Sequence, residues 1–425
     1  MKAFLKLQSV EEVLAHLRAF PPLPSEDVPL EEALSRFSAA PLAAPHDLPG
    51  FDRSTVDGFA VRARDVFGAQ EASPALLDVV GDCRMGEAAG LTLEEGRTAR
   101  ILTGGMLPAG ADAVVMVEYS RPAGGQLVEL TRSVAPGENV LRHDEDAAAG
   151  RICLPQGCCL RPQEIGLLAA FGLTHTLVRR RPRVGILSTG DEVVPVTAAP
   201  APGQIRDVNA HSLAALCRRC GAAVTQAGLV PDDPAALRAA VTALSATQDV
   251  VVVSGGSSAG MRDHTVEVFT GGTGGELLCH GVALSPGKPF ILARKGDVCL
   301  MGLPGHVSSA LICAHVFLRP LLRHLQGADE ASRPVPGTLA ILSRPLASAQ
   351  GRRDYIRVRL EALPPDARPA PTDFPPVRWR AVPLTGPSGC ISGLTQADGL
   401  VVCPENREGL YADEIVEVEL LDDPS

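Results

Sequence analysis

Three glycine-rich loops carry the acidic and hydroxyl side chains with the clearest chemical potential in this sequence. They are Ser188–Glu192, Ser254–Asp263 and Leu303–His306, and each follows an apolar run that predicts a strand. Glycine allows backbone N–H groups to approach and turn toward a ligand. Such amides can bind phosphate. We therefore expect these loops to bind the anionic part of a ligand.

The acids in these loops need a separate explanation. Asp191 and Glu192 lie in the first loop and Asp263 closes the second. Carboxylates repel phosphate unless a cation lies between them, and Mg²⁺ is commonly held by one or two carboxylates together with substrate phosphates. Alternatively, Asp191 and Asp263 cap helices and Glu192 is solvated. The spacing alone does not decide between these interpretations.

No standard nucleotide motif is present. The first strand lacks a following G-x-G-x-x-G, and S-P-G-K-P at 285–289 lacks the spacer and final hydroxyl residue of a P-loop. Lys288 lies between two prolines on a stiff turn, so it could be an anion contact or a solvated lysine. Polar turns also occur at Ser54–Gly58, Thr103–Gly105 and His143–Asp146, where local hydrogen bonding alone would explain these residue types.

The elements that must position the loops alternate between strand and helix from Arg181 onward. This alternation predicts a three-layer α/β domain. The valine run Val250–Val253 lacks polar alternation, which is typical of a parallel strand covered on both faces. Ligands of such sheets bind beyond the carboxyl ends of the strands. Helices are predicted over Asn209–Arg219, from Pro234 to about Ser245, and from Val307 to about Leu325.

The flanking segments have a different pattern. A capping box formed by Ser9 and Glu12 predicts a helix to about Phe20, and a second short helix is expected over Leu30–Phe37. Short strand-like runs broken by Gly and Pro extend from Pro45 to about Gly150. After Gly327 the chain predicts a small all-β domain.

Composition limits the class of protein. The 425 residues are too many for one core and predict two to four domains. The net charge is −10 and aromatic residues make up 4%, which argues against base stacking with nucleic acid and requires a local cationic pocket for any anionic substrate. With 11 Cys at irregular spacing, reduced thiols are favoured over a metal or redox site at Cys217 and Cys220. Because no signal peptide or membrane span is evident, we expect a cytoplasmic protein.

Together these segments resemble one family, the molybdopterin molybdenumtransferases, or molybdenum insertases of the MoeA and gephyrin E-domain type. The resemblance extends from Pro49–Ala60 to Ala397–Leu400. It lies in the shared order of many motifs, which include L-T-G-G-M-L-P-A-G-A-D-A-V-V, R-P-R-V-G-I-L-S-T-G-D-E, G-Q-I-R-D-V-N, S-G-G-S-S-A-G-M-R-D, P-G-K-P and G-L-P-G.

The resemblance implies a multidomain α/β and β fold. Residues 1–46 and 147–180 would form an elongated, discontinuous linker domain, and 47–146 an inserted β-rich domain. Residues 181–328 would form the three-layer α/β molybdopterin-binding domain, and 333–425 a C-terminal β-barrel-like domain. It also implies a homodimer whose active site joins the α/β domain of one subunit to the inserted domain of the other.

The implied reaction converts adenylylated molybdopterin and molybdate into molybdenum cofactor and AMP, with Mg²⁺ as the divalent cation. Candidate partners are a molybdopterin adenylyltransferase, the molybdoenzymes and their chaperones, with no nucleic acid and no membrane.

The resemblance also assigns site residues by motif. The catalytic candidates are Asp57, Asp146, Glu192, Asp263 and Lys288. The metal-binding candidates are Asp191, Glu192, Asp232 and Asp263. The candidates for binding molybdopterin or oxyanion are Thr103, Ser188, Thr189, Gly190, Asp207, Asn209, Ser254, Gly255, Gly256, Ser257, Gly260, Pro304, Gly305 and Arg352.

The chain departs from the family pattern at three places. Ser285 stands where a second Lys is frequent, His306 stands in P-G-H-V instead of P-G-N-P, and Asp144–Asp146 reads D-E-D instead of G-E-D. Losing one cation would weaken anion binding by about 1–3 kcal/mol. Two alternatives to the insertase therefore stay open: a divergent or impaired paralogue that carries molybdopterin, and a molybdopterin adenylyltransferase.

Overall fold

The structure is a computed structural model that describes residues 7–255, 264–272, 274–329, 337–364, 377–384 and 386–421. Its centre is a six-stranded mixed sheet. In spatial order the strands are Ala223–Val230, Arg183–Thr189, Val250–Ser254, Val298–Leu303, Ile291–Lys295 and Glu276–His280. The first four are mutually parallel, and Ile291–Lys295 is antiparallel to both of its neighbours.

The valine strand is covered on both faces, as the sequence predicts. Val250 and Val252 lie in a hydrophobic core with helix Asn209–Arg219, whereas Val251 and Val253 face a second core with helix Pro234–Ser245. Successive strand side chains point to opposite faces, so an all-apolar run needs a layer on each side. The central domain therefore has the predicted three layers.

The first of these cores also contains the long helix that follows the last parallel strand. This helix runs through Val307–Cys313, a π-helical turn Ala314–Leu318 and Arg319–Leu325. The N-terminal helix Val10–Arg18 packs into the same core through Val10, Val13 and Leu17, and its predicted capping box is present.

The segment between these regions forms a separate six-stranded mixed sheet with its own hydrophobic cores. In spatial order its strands are Ala113–Met116, Gly58–Val61, Arg97–Ile101, Ala75–Cys83, Leu127–Leu130 and Ser120–Gly124. The short strands Arg53–Ser54 and Val140–Leu141 pair at one end of this unit.

Two antiparallel pairings join the chain before and after this inserted unit. They are Ser25–Pro29 with His175–Arg179, and Leu42–Ala43 with Ile152–Leu154. Helix Pro162–Ala170 packs beside them.

The helix predicted over Leu30–Phe37 is wrong, because only Leu30–Glu32 forms a 3₁₀ turn. Ser35 has φ +62°, which a right-handed helix does not allow, and its amide donates to the carbonyl of Leu160. The buried Arg36 is held by Glu26 and the carbonyl of Arg179. Contacts with distant residues therefore override local helix preference here.

The C-terminal region is a closed five-stranded barrel. Its strands, in order around the barrel, are Arg353–Ala362, Trp379–Pro383, Gly337–Leu342, Ile415–Leu420 and Gly399–Cys403, with the last pairing to the first. The strand Arg353–Ala362 also pairs with Leu284–Ser285 of the central domain. The line of contact between these two domains is called the barrel seam below.

No helix in the described part of the chain is long and apolar enough to span a bilayer.

Candidate functional site

The ends of two neighbouring strands, Arg183–Thr189 and Ala223–Val230, bring three candidate residues close together. Thr189 is 2% exposed, and its Oγ1 donates to Asp232 Oδ1 at 2.7 Å. The amide of Asp232 in turn donates to Asp191 Oδ1 at 3.1 Å. Because the two strands are parallel neighbours, their carboxyl ends meet at the same edge, and these bonds tie the two loops together.

Glu192 folds over the backbone of the same loop. Gly190 has φ +146°, and a Cβ built there would lie 2.9 Å from Glu192 Oε2. A side chain at position 190 would therefore require the carboxylate to move. Gly190 is favoured by its backbone conformation, whereas the exposed Glu192 carboxylate, at the end of a flexible side chain, could move away from an added Cβ.

Asn209 joins the second and third glycine loops. Its Nδ2 donates to Ser254 Oγ and to the carbonyl of Gly305, both at 2.8 Å. The loops are also in direct contact, because a Cβ at Gly255 would lie 2.1 Å from the carbonyl oxygen of Thr189. The first and third loops, and the described start of the second at Ser254 and Gly255, thus converge at the carboxyl ends of the parallel strands.

Two buried polar atoms at this edge make no hydrogen bond within the described residues. They are Asn209 Oδ1 and Ser188 Oγ, on side chains that are 7% and 3% exposed. Leaving a buried polar group unpaired costs about 1–3 kcal/mol, so a ligand that bonds to these atoms would remove that cost. Both atoms can therefore accept hydrogen bonds from a ligand, and the Ser188 hydroxyl can also donate.

Asp207 has a local structural role. Its Oδ1 accepts from the amide of Ala210 at 3.0 Å, which satisfies an N–H group at the start of helix Asn209–Arg219. The side chain is buried, so this bond also fixes the helix that carries Asn209.

Lys288 and Arg352 both lie at the barrel seam. Lys288 is exposed. The strand that follows its turn begins at Ile291, which lies opposite Gly302. The turn therefore lies at the same edge of the sheet as Pro304 and Gly305. Arg352 forms an ion pair with Asp354, with Nε and Oδ1 2.9 Å apart. An anion at Arg352 would therefore share this cation with a carboxylate.

The inserted domain brings together two other candidates. Thr103 donates to Asp57 Oδ1 twice, from its amide at 2.7 Å and from its hydroxyl at 2.8 Å. The amide bond first, and the hydroxyl bond second, lower the pKa of Asp57 below its ordinary value of 3.8. Asp57 is therefore held as an oriented carboxylate at the tip of this domain.

Asp146 is exposed near the same tip, where its amide donates to the carbonyl of Leu48 at 3.0 Å. The neighbouring His143 amide donates to Asp52 Oδ1 at 2.7 Å, and its Nδ1 lies 3.6 Å from the same oxygen. The turns that carry Asp52, Asp57, Thr103 and Asp146 thus form one polar end of the inserted domain.

The two groups of candidate residues are separate within one chain. No hydrogen bond or ion pair joins residues 47–146 to the described residues between 181 and 329. The bonds described above therefore give no direct polar link between the two groups.

Four of the candidates, Gly256, Ser257, Gly260 and Asp263, lie outside the described residues. Within the described ranges, no three His, Cys, Asp or Glu side chains are grouped so that they could hold a metal ion. Asp191 and Asp232 each use one carboxylate oxygen in the hydrogen bonds given above, and their other oxygens take no part in those bonds.

The cysteines are free thiols, as expected from the sequence. Cys217 and Cys220 lie on and at the end of helix Asn209–Arg219, and burial raises the pKa of Cys217 to about 12. A thiol with a raised pKa is a poor metal ligand and a poor redox nucleophile.

Sequence reasoning missed one polar contact at the barrel seam. His306 Nδ1 and Ser388 Oγ are hydrogen-bonded at 2.9 Å, although 82 residues separate them. The only local signal was the small-residue run Gly386–Gly389, which predicts a turn but no partner.

Family models match nearly the whole chain. Residues 8–172 match the MoeA N-terminal region (domain I and II), 185–324 a probable molybdopterin binding domain, and 340–421 the MoeA C-terminal region (domain IV).

Individual relatives agree with these models. Molybdopterin molybdenumtransferase 2 of Mycobacterium tuberculosis is 36% identical over 84% of this chain and 88% of its own length. Molybdopterin molybdenumtransferase of Haemophilus influenzae is 34% identical over 79% of this chain and 81% of its own.

A solved structure agrees in fold. The crystal structure of the molybdopterin biosynthesis MoeA protein from Pyrococcus horikoshii OT3 covers 98% of this chain and 100% of its own, with a TM-score of 0.82 and 28% identity. The chain therefore belongs to the MoeA family of molybdopterin molybdenumtransferases, enzymes of molybdenum cofactor biosynthesis.

Proposed function

We propose that this enzyme inserts molybdenum from molybdate into adenylylated molybdopterin, forming molybdenum cofactor and releasing AMP. Family membership supports the class of reaction. The observation that carries the proposal is the meeting of Thr189, Gly255 and Gly305 at one sheet edge. At this edge Asn209 Oδ1 and Ser188 Oγ are buried and unpaired among the described residues.

This edge suits a pyrophosphate linked to a polar ring system. Backbone amides of glycine loops bind phosphate oxygens, and the buried acceptor on Asn209 suits an N–H donor of the pterin. In the proposed reaction a water oxygen attacks phosphorus and the P–O–P bond breaks, which leaves the other phosphate on the pterin. The two pterin thiols bond to molybdenum, and one molybdate oxygen leaves as water with their two protons. AMP leaves as the free nucleotide.

Lys288 and Arg352 are the proposed contacts for the oxyanion. Oxyanions need cations or aligned N–H donors, and these two cations lie along the barrel seam. Arg352 already pairs with Asp354, so Lys288 is the better placed of the two to respond to an added anion.

A magnesium ion is part of the proposal. Asp191 and Asp232 are joined through a backbone amide, and Glu192 lies over the adjacent Gly190. These acids would hold the ion together with Asp263 and substrate phosphates, in keeping with the few protein ligands that Mg²⁺ usually takes. When bound, the ion would neutralise negative charge on the phosphates.

The proposed enzyme is a cytoplasmic homodimer. Asp57, Thr103 and Asp146 lie on a domain with no described polar contact to the central sheet edge of the same chain. We propose that they face the central domain of the partner subunit, where Asp57 would orient the substrate or a water molecule.

AMP release tests the proposal. Purified protein, adenylylated molybdopterin and Mg²⁺ should release AMP when molybdate is added, with tungstate measured in parallel. Binding of the pterin with no AMP release for either oxyanion would support a carrier instead. Formation of adenylylated product from ATP and molybdopterin would support an adenylyltransferase.

A further inference from the structure

One segment of the C-terminal barrel, residues 386–393, is attached to the helix that begins at Val307. The deeper attachment uses the buried Arg357, whose Nη1 donates to Ser308 Oγ at 3.2 Å and whose Nη2 donates to the carbonyl of Gly386 at 3.0 Å. The amide of Ser308 donates to the carbonyl of Ser388 at 3.0 Å. These bonds fix the base of the segment.

The outer attachment is the hydrogen bond between His306 Nδ1 and Ser388 Oγ at 2.9 Å. His306 is exposed and directly follows Gly305, whose carbonyl accepts from Asn209. The outer bond is therefore one residue away from the candidate substrate edge.

One further bond reaches the middle of the segment, where the Ser308 hydroxyl donates to the carbonyl of Cys390 at 3.4 Å. Gly389, Cys390, Ile391 and Ser392 are exposed, so few apolar contacts anchor it. Segments with few buried contacts open at low free energy, and a single hydrogen bond then has a large influence on their position.

We infer that His306 is a positioning residue that holds the 386–393 segment, through Ser388, over the oxyanion end of the site. The segment is rich in Gly and Ser, so it offers N–H and O–H donors to a tetrahedral oxyanion at the seam that carries Lys288 and Arg352. This inference rests on the proposed function, because it assigns the segment to the molybdate end of that site.

The test compares molybdate binding by wild-type protein and the His306→Ala variant in equilibrium dialysis. Loss of the outer bond should raise the Kd for molybdate about three- to tenfold. His306→Asn keeps an amide that can bond Ser388 and should restore most of the affinity. His175→Ala is the matched control, since that exposed ring also bonds a neighbouring hydroxyl, Thr174 Oγ1 at 3.1 Å, and should leave the Kd unchanged.

Two further measurements separate positioning from a general loss of structure. Amide hydrogen exchange should rise in residues 386–393 of His306→Ala while the central-sheet strands keep their protection. In the AMP-release assay, KM for molybdate should rise while kcat stays within about twofold of wild type. Ser388→Ala should reproduce the effect, and the double variant should be no worse than either single one.

The outcomes distinguish this inference from the proposed function. An unchanged molybdate Kd in His306→Ala, or a changed Kd without faster exchange in residues 386–393, overturns the positioning role. Wild-type protein that does not bind molybdate also overturns it. Wild-type protein that binds molybdate but releases no AMP refutes the proposed function, whereas the effect of His306→Ala on the Kd is still decided.

Discussion

The edge of the central sheet and the tip of the inserted domain both carry acids and hydroxyls, but they hold them differently. At the sheet edge Thr189, Ser254 and Asn209 are buried, and their bonds tie loops together. At the tip Asp57 is exposed, and its bonds come from one residue, Thr103. The first region ties loops together through buried hydroxyl and amide side chains, whereas the second presents an exposed carboxylate held by one neighbouring residue.

This difference suggests that the two regions have different roles in substrate binding and catalysis. A pocket with buried, fixed donors and acceptors can bind and orient a substrate before reaction, at little cost in ordering. The electrostatic interaction of an exposed carboxylate with a substrate is weak in water and becomes stronger when another protein surface excludes the solvent. The comparison therefore predicts different responses when each region is altered.

The largest effect is expected for Glu192→Gln at the sheet edge. The substitution keeps size but removes the charge next to Gly190, and AMP release should fall by about 100-fold or more. Glu71→Gln, on an exposed acid paired with Arg121 at 3.9 Å, is the control and should retain activity. Full activity of Glu192→Gln would remove this acid from the proposed mechanism.

Asn209→Ala should have a smaller effect on activity and should also lower stability. Loss of the bonds to Ser254 and Gly305 should lower the free energy of opening of the central domain by about 1–3 kcal/mol, as measured by hydrogen exchange. AMP release should fall about tenfold because two loops lose their common support.

Gln226→Ala is the control for this variant. It removes a single bond to the carbonyl of Ala210 at 3.1 Å on the same helix and should change neither quantity appreciably. If the two variants behave alike, the description of the sheet edge as loops tied together by buried side chains is wrong.

The smallest effect is expected at the tip, for Thr103→Val. The hydroxyl bond is lost but the amide bond to Asp57 stays, so the pKa of Asp57 should rise toward 3.8 without reaching it. Because the pKa of Asp57 is lowered in the folded protein, its ionised carboxylate stabilises the fold at pH values above the ordinary pKa. This stabilisation is lost as the pH falls through the pKa of the folded state. AMP release near pH 7 should change little on this account, because the carboxylate is ionised in both proteins.

An NMR titration of the Asp57 carboxyl carbon measures this change in pKa. A pKa that does not move in Thr103→Val would show that the hydroxyl does not hold the carboxylate.

Much of the fold could be predicted from local patterns. The valine run, the capping box at Ser9 and the helix Asn209–Arg219 follow from periodicity and capping, and they are confirmed. The helix expected at Leu30–Phe37 failed because a positive φ at Ser35 and contacts with Leu160 are set by distant residues.

The candidate site also has features that could be predicted from the sequence and features that could not. Parallel strands bring their carboxyl ends together, so the meeting of the glycine loops could be predicted from strand order. The bonds that Asn209 makes to Ser254 and Gly305 span 45 and 96 residues, and the His306–Ser388 bond spans 82. Such pairings depend on tertiary geometry, which no local pattern encodes.

The central claim is that one active site takes its pocket from one chain and Asp57 from another. Mixed dimers of Glu192→Gln and Asp57→Asn chains test it most directly, because each homodimer should lose most of its activity when every site lacks one of the two carboxylates. AMP release is measured after the two homodimers are dissociated and reassociated together. In a mixed dimer one site receives both changes and the other receives neither, so random exchange should restore about a quarter of wild-type activity. Activity no higher than that of the two parent homodimers, with mixed dimers shown to be present, would contradict the shared site.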